Sequence, residues 1–147
     1  MMSPMKRIAI KPLLLACVAL TFAAFTTRAD DAPPAAVGAE GLHLAEAVMC
    51  EGIVNFKPLH RSAVFAVAAG SITCFTAFDV VPDTVEVYHD WIKRDTVVYR
   101  KKLVLKPPNW SSISSIKLRE DDKGPWRVEI RDPEGRLMAL LRFSVTE

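Results

Sequence analysis

The stretch Gly124–Val145, GPWRVEIRDPEGRLMALLRFSV, carries the clearest structural pattern in the chain. Its first part, WRVEIR, alternates apolar and charged residues, which is the period of two expected of a half-buried strand. The sequence DPEG then places Asp, Pro and Gly where a type I turn prefers them. After the turn, apolar residues recur at every second position from Leu137 to Val145. The stretch therefore predicts a β-hairpin with one face in the core.

Upstream of this hairpin, further runs rich in β-branched and aromatic residues have a similar spacing. They are HLAEAVMCEGIVN (43–55), SAVFAVAAGSITCFTAF (62–78), DTVEVYHDWI (83–92) and DTVVYRKKLVL (95–105). The segments between them, such as KPLHR (57–61) and KPPNW (106–110), carry prolines and are predicted to be turns. About seven short strands separated by turns predict an all-β fold, a small antiparallel β-sandwich of immunoglobulin-like architecture.

The N-terminus has the pattern of a secretory signal peptide. Basic residues precede an apolar run from Leu13 to Phe25, and Thr27 and Ala29 are the small residues that a signal peptidase reads. The apolar run has about 13 residues, whereas a membrane span needs about 20. We therefore expect cleavage after Ala29, a periplasmic or secreted location, and no transmembrane anchor. A lipoprotein modified at Cys17 is the alternative, although this cysteine lies inside the apolar run.

Removal of residues 1–29 would change the charge of the chain. This segment contains four basic residues and no acidic one, so that 15 basic residues would face 17 acidic ones, a formal net charge of −2 instead of +2. A net acidic, exported domain disfavours a nucleic-acid partner. The rest of the chain predicts a flexible lead at 30–41, rich in proline, alanine and acidic residues, and one β-sandwich domain at 42–147.

Cys50 and Cys74 are the two cysteines that would remain after cleavage. An even number of cysteines in a compartment that permits disulfides predicts a bond between them. Two buried free thiols are the alternative, because cysteine also behaves as a small apolar residue.

Eight short motifs follow one another between residues 45 and 145. They are AVMC, NFKP, VFAV, ITCFTAF, VYHDWI, NWSSISSIKL, GPWRVEIRDPEGRL and RFSV. Their order resembles the bacterial family called domain of unknown function 2914 (DUF2914). The resemblance implies the signature positions Cys50, Cys74, His89, Trp91, Trp110, Trp126, Asp132 and Gly135. Such domains commonly have arginine after the tryptophan before the serines, where this chain has Ser111. The family has no established activity, so the resemblance implies no chemistry.

The motif VEVYHDWI contains the most conspicuous candidate pair, His89 and Trp91. Strand alternation places both residues on the same face as Val85 and Val87. This pattern predicts a core-side imidazole that is hydrogen-bonded to a carbonyl or a serine and packs against Trp91. A ligand-contacting role at the mouth of the sandwich is the alternative, so the pair is kept in the candidate binding surface.

Basic residues form the rest of that candidate surface. They are Lys93, Arg94, Arg100, Lys101 and Lys102. Lysine at an exposed strand edge is a common defence against strand-to-strand aggregation. The functional alternative is a patch for an anionic partner, either an envelope protein or an anionic glycan or glycolipid.

The sequence assigns no catalytic residue, metal ligand or cofactor. His43, His60 and His89 lack the spacing of a metal site, and the serines of SSISSIKL lack a nucleophile elbow. Acidic residues crowd the segment 79–95, which leaves a small carboxylate-dependent hydrolase or sugar-processing domain as the alternative function. The favoured expectation is an exported, non-enzymatic interaction module that binds a protein or polymer of the bacterial cell envelope.

Overall fold

A computed structural model describes residues 41–147, which form two β-sheets. The strands are β1 (His43–Val54), β2 (Lys57–Arg61), β3 (Val64–Ala66), β4 (Ser71–Val80), β5 (Val85–Lys93), β6 (Thr96–Leu105), β7 (Trp110–Lys117), β8 (Gly124–Arg131) and β9 (Leu137–Thr146). Two short 3-10 helices lie at Val67–Ala69 and Glu120–Asp122. Within this part of the chain, no helix has both the length and the apolar character needed to cross a membrane. The predicted signal peptide, Cys17 and residues 30–40 of the predicted lead lie outside the described residues.

The strands form a sandwich, as the sequence predicts. The four-stranded sheet has the order β2-β1-β4-β7, and the five-stranded sheet has the order β3-β9-β8-β5-β6. All strand pairs are antiparallel except β3 and β9, which run parallel. The fold is therefore an all-β, immunoglobulin-like sandwich, with nine strands among the described residues where the sequence predicts about seven.

The two additional strands come from segments whose pattern is misleading. KPLHR, predicted to be a turn, forms β2, and Pro58 is tolerated there because an edge strand has one side without a partner. The run 62–78 is not continuous, because Gly70 adopts a positive φ of 75° and separates β3 and its short helix from β4.

The C-terminal hairpin is confirmed. Strands β8 and β9 pair antiparallel, and the amide of Gly135 donates to the carbonyl oxygen of Asp132 over 3.0 Å to close the turn. Gly135 has a φ of 80°, which suits the residue that follows a type I turn in a hairpin. A register shift after Ile130 changes the first residues of β9, so Met138 is buried where the alternation predicts Leu137.

Aromatic side chains fill the core between the two sheets. Among residues 41–147 the Phe143 ring has three aromatic neighbours, the rings of Phe65, Trp91 and Trp126, each with its centroid 6.0 Å away. The contacts with Phe65 and Trp91 are edge-to-face, and the contact with Trp126 is stacked. All four residues are buried, so this cluster ties together the centre of the five-stranded sheet.

The predicted disulfide between Cys50 and Cys74 is wrong. Both cysteines are buried free thiols on the adjacent strands β1 and β4. The strand register pairs Cys74 with Met49 and Cys50 with Thr73, and opposed residues share a face. Since Met49 and Cys50 are consecutive, the two thiols leave the sheet on opposite faces. Burial raises the pKa of both thiols, which keeps them protonated and unreactive.

Candidate functional site

His89 is fully buried between the sheets and joins them through hydrogen bonds. Its Nδ1 atom lies 2.8 Å from Oγ of Ser114, and its Nε2 atom lies 3.3 Å from Oγ1 of Thr76. Both partners belong to the four-stranded sheet, whereas His89 belongs to the five-stranded one. Burial lowers the pKa of the imidazole to about 4, although the neighbouring Asp90 charge opposes this effect. His89 is therefore a neutral imidazole at neutral pH.

The surrounding hydrogen bonds define which nitrogen of His89 carries the proton. Trp91 donates from Nε1 to Oγ of Ser114 over 3.0 Å, so the Ser114 hydroxyl is free to donate to Nδ1 of His89. Nε2 then carries the proton and donates to Thr76, whose own hydroxyl donates to the carbonyl oxygen of Ser112 over 3.4 Å. In this arrangement every donor of the network has an acceptor. The four bonds form one directional chain, which we call the inter-sheet network.

The inter-sheet network removes two residues from the candidate binding surface. His89 and Trp91 are both completely inaccessible, so neither can contact a ligand in this structure. Ser114 is also buried. The carboxylate nearest to His89 in sequence is that of Asp90, and it points to the other face of β5, away from the imidazole. A serine-histidine hydrolytic site is therefore not formed here. The core-packing interpretation of the pair is the one that the geometry supports.

Asp90 lies on the outer face of the five-stranded sheet and is also buried. Arg100 covers it with two parallel hydrogen bonds, of 2.6 Å from Nε and 2.7 Å from Nη2, and Arg131 Nε lies 3.6 Å away. The bond to Asp90 raises the pKa of Arg100. Further along the same strand pair, Lys102 donates to Glu86 over 2.9 Å. Arg100 and Lys102 are thus largely neutralised by acidic neighbours on their own sheet.

The three other basic candidates have separate positions. The side chain of Lys93 is mostly buried, where it contacts the Trp126 ring at 5.3 Å and the backbone carbonyl of Asp121. Arg94 is exposed in the β5–β6 turn with a φ of 47°. Lys101 is exposed on the face of β6 opposite to that of Arg100 and Lys102. The basic stretch therefore does not form one continuous patch.

A groove lies between β6 and β7, the last strands of the two sheets on one side of the sandwich. We call it the seam groove; its volume is about 550 Å³. It is lined by Lys93, Val98, Tyr99, Ser115, Ile116, Lys117, Arg119, Asp122 and Trp126. Tyr99 and Ile116 supply apolar surface, while Lys117 and Arg119 are exposed cations at its border. Asp122 is held within the structure, since it accepts the Arg119 amide over 2.9 Å and faces Lys93 at 3.6 Å.

Sequence reasoning missed Lys117 and Arg119. Lys117 is the last residue of the serine-rich strand β7, and Arg119 lies two residues further on. They line a groove with residues of β6 because β6 and β7 lie at the same side of the sandwich. Their position could have been predicted only from knowledge of which strands form the edges of the two sheets. Lys93 is the one residue of the candidate binding surface that lines the seam groove. Its side chain is mostly buried, so it lies at the inner wall of the groove and not at the opening.

The acidic residues of the segment 79–95 do not face one another as a catalytic pair. Asp79 contacts His43 at 2.5 Å, and Asp95 contacts Arg127 at 2.6 Å. Glu86 and Asp90 have the basic partners described above, and Asp83 lies exposed in the β4–β5 connection. Among residues 41–147 there is also no cluster of three or more histidine, cysteine or acidic side chains suited to a metal ion. Four of the five acids in this segment are thus engaged with basic partners, which is an arrangement of ion pairs and not the paired-carboxylate geometry of a glycosidase.

The fold and these sites define a class of protein: a small all-β sandwich with a buried polar network in its core and an open groove at one seam. Residues 85–145, which run from β5 to the end of the C-terminal hairpin, match the model of a family described as "Protein of unknown function (DUF2914)". This match confirms the resemblance to the DUF2914 family over residues 85–145. The match begins at Val85, so the extension of the resemblance to residues 45–84 stays a prediction.

One solved structure to which the chain is similar is the crystal structure of a Niemann-Pick type C2 protein from Japanese carpenter ant. It is 10% identical, the alignment covers 75% of this chain and 95% of that one, and the TM-score is 0.38. No curated protein matches the sequence.

Proposed function

We propose that the chain is an exported, non-enzymatic interaction module that binds an anionic protein or polymer of the cell envelope. The observation that carries the proposal is the seam groove, where apolar surface from Tyr99 and Ile116 lies beside the exposed cations Lys117 and Arg119. An extended anionic chain could place its charges on the cations and its apolar parts on the tyrosine ring. The N-terminal signal-peptide pattern supports the export part of the proposal.

The alternative function, a carboxylate-dependent hydrolase, has less support. The acids that suggested it each have a basic partner, with the exception of exposed Asp83. General acid and base catalysis requires two carboxyl groups that share a cleft and have different pKa values. The described acids instead act as ion-pair partners on the surface and on the outer sheet face.

A photo-crosslinking experiment tests the proposal. The full chain carries a photoreactive amino acid in place of Tyr99 and is expressed in its own host, and crosslinked partners are identified by mass spectrometry in envelope and cytoplasmic fractions. We expect a reproducible anionic partner in the envelope fraction, and its loss in a Lys117→Glu/Arg119→Glu variant, because charge reversal at the groove repels the ligand.

The matched control is Lys101→Glu/Lys102→Glu, which makes the same change of charge on β6. Retained crosslinking in this control, together with loss in the groove variant, supports the seam groove as the site. Loss in the control alone would place the site at Lys101 or Lys102 on β6 instead of the seam groove and would overturn this assignment. Equal crosslinking by all three proteins, or a partner found only in the cytoplasmic fraction, would overturn the proposal.

A further inference from the structure

The hairpin of β1 and β2 extends beyond the strand pairing of its sheet. The pairing of β1 with β4 ends at Cys50 and Thr73, whereas its pairing with β2 continues to Val54 and Lys57. Residues 51–60 thus form a two-stranded finger that pairs with no other strand of the described chain. A two-stranded hairpin has little stability of its own in water. The side chains of the finger therefore indicate which further surface could stabilise it.

The end of the finger carries apolar side chains on both of its faces and at its tip. Phe56 at the tip is 88% exposed, Val54 is 53% exposed and Leu59 is 43% exposed. Leu59 lies opposite Gly52, so it shares a face with Val54, two residues further along β1. The other face carries Ile53 opposite Pro58, and both are half-buried. A hairpin that docks one face onto another protein would have apolar side chains on that face alone. Here they occupy both faces and the tip.

The backbone conformation at the tip of the finger is unfavourable for Phe56. Asn55 and Phe56 have φ values of 50° and 59°, which is the left-handed pair of a two-residue hairpin turn. Asn-Gly is the favoured sequence for such a turn, because glycine adopts positive φ without steric conflict. Phenylalanine at the second position increases strain and exposes an aromatic ring. Within the part of the chain that the structure describes, Phe56 lies outside the core cluster, so this core gains nothing from its ring.

The charges near the finger favour an anionic surface. Lys57 is exposed next to Phe56, and residues 53–59, which form the end of the finger, include no acidic side chain. At the base of the finger Glu51 is paired with His60 at 2.6 Å, and outside it Arg61 is paired with Glu46 at 2.5 Å. The one cation at the tip is thus free of these pairs.

We propose that the finger inserts its tip into the interfacial region of a lipid bilayer, with Phe56 among the acyl chains and Lys57 at anionic headgroups. Interfacial binding of this kind combines apolar insertion with electrostatic attraction to anionic lipids. A stable protein interface buries about 800 Å² on each partner, far more than these few side chains offer. The finger lies on β1 and β2, away from the seam groove, so this inference is independent of the proposed function.

Tryptophan placed at the tip reports insertion directly. The full-length Phe56→Trp protein is mixed with vesicles of phosphatidylcholine and phosphatidylglycerol in which some acyl chains are brominated, because bromine quenches tryptophan only on close contact. We expect stronger tryptophan quenching than in the wild-type chain. The wild-type signal measures the quenching of Trp91, Trp110 and Trp126, which all of these proteins contain. Val104→Trp is the matched control: Val104 is also exposed, but lies on β6, and we expect it to add no quenching.

Glycine at the same position separates insertion from folding. Phe56→Gly relieves the positive-φ strain, so we expect a higher melting temperature together with a roughly tenfold lower apparent affinity for the vesicles. The N-terminal apolar segment is common to all of these proteins and cancels in the comparison. Absence of added quenching in the Phe56→Trp protein, or equal vesicle affinity of Phe56→Gly and wild type, would overturn the inference. Either result is also what is expected if Phe56 enters a protein pocket and not a bilayer.

Discussion

Trp91 and Ser114 belong to different sheets, yet the indole nitrogen of Trp91 donates to Oγ of Ser114 over 3.0 Å. The same serine oxygen also lies 2.8 Å from Nδ1 of His89. One hydroxyl group thus satisfies two aromatic side chains of the opposite sheet. The inter-sheet network depends on it, because no other side-chain partner is found for these two nitrogens among the described residues.

Ser114→Ala is expected to lower the free energy of unfolding by about 2 kcal/mol or more, because it leaves two buried nitrogens without a partner. Urea unfolding measures this change. Ser111→Ala is the control: Ser111 lies on the same strand and is exposed, so its replacement should change stability by no more than about 0.5 kcal/mol. Equal effects of the two substitutions would contradict the network.

The stability of the protein should depend on the protonation of His89. Its pKa is about 4 in the folded protein and about 6.5 in an unfolded chain, so the unfolded chain binds the proton more readily. The corresponding stability, about 3 kcal/mol at most, is fully present above pH 6.5 and is lost as the pH falls towards 4. Urea unfolding of wild type and His89→Gln across this range isolates the effect. A constant difference between the two proteins over these pH values would contradict it.

The two ion pairs on β6 should differ in importance. Asp90 is buried, so Arg100→Ala leaves a carboxylate with only the more distant Arg131 for compensation. Glu86 and Lys102 are both exposed, and such a pair contributes little. We expect Arg100→Ala to lower the urea midpoint clearly and Lys102→Ala to leave it unchanged within error. A larger effect of Lys102→Ala would show that the burial of Asp90 is not the deciding factor.

Cys50 and Cys74 should both be free in the purified protein. In native conditions we expect slow reaction with a thiol reagent, because both thiols are buried and their pKa values are raised. In denaturant without a reductant, both should be alkylated, as peptide mass spectrometry can establish. Peptides that contain Cys50 and Cys74 joined by a disulfide would instead restore the sequence-based expectation.

Local patterns predicted much of this fold because alternation is a property of single strands. The hairpin of β8 and β9 and the inward orientation of His89 and Trp91 follow from the period of two alone. The disulfide failed for a related reason: an even count of cysteines says nothing about strand register, and register places Cys50 and Cys74 on opposite faces. The seam groove depends on which strands end each sheet, and the finger on where pairing with β4 stops. Neither is encoded in a local pattern.

The parallel pair of β3 and β9 has a consequence for the order of folding. Val64 pairs with Ser144, so an early segment of the chain finds its sheet neighbour only in the C-terminal strand. During synthesis, β3 has no place in the five-stranded sheet until β9 has emerged. Contacts between such distant segments slow folding, because the intervening chain must first be ordered. The five-stranded sheet is therefore complete only when β9 is available, so a shorter nascent chain leaves β3 without its sheet neighbour.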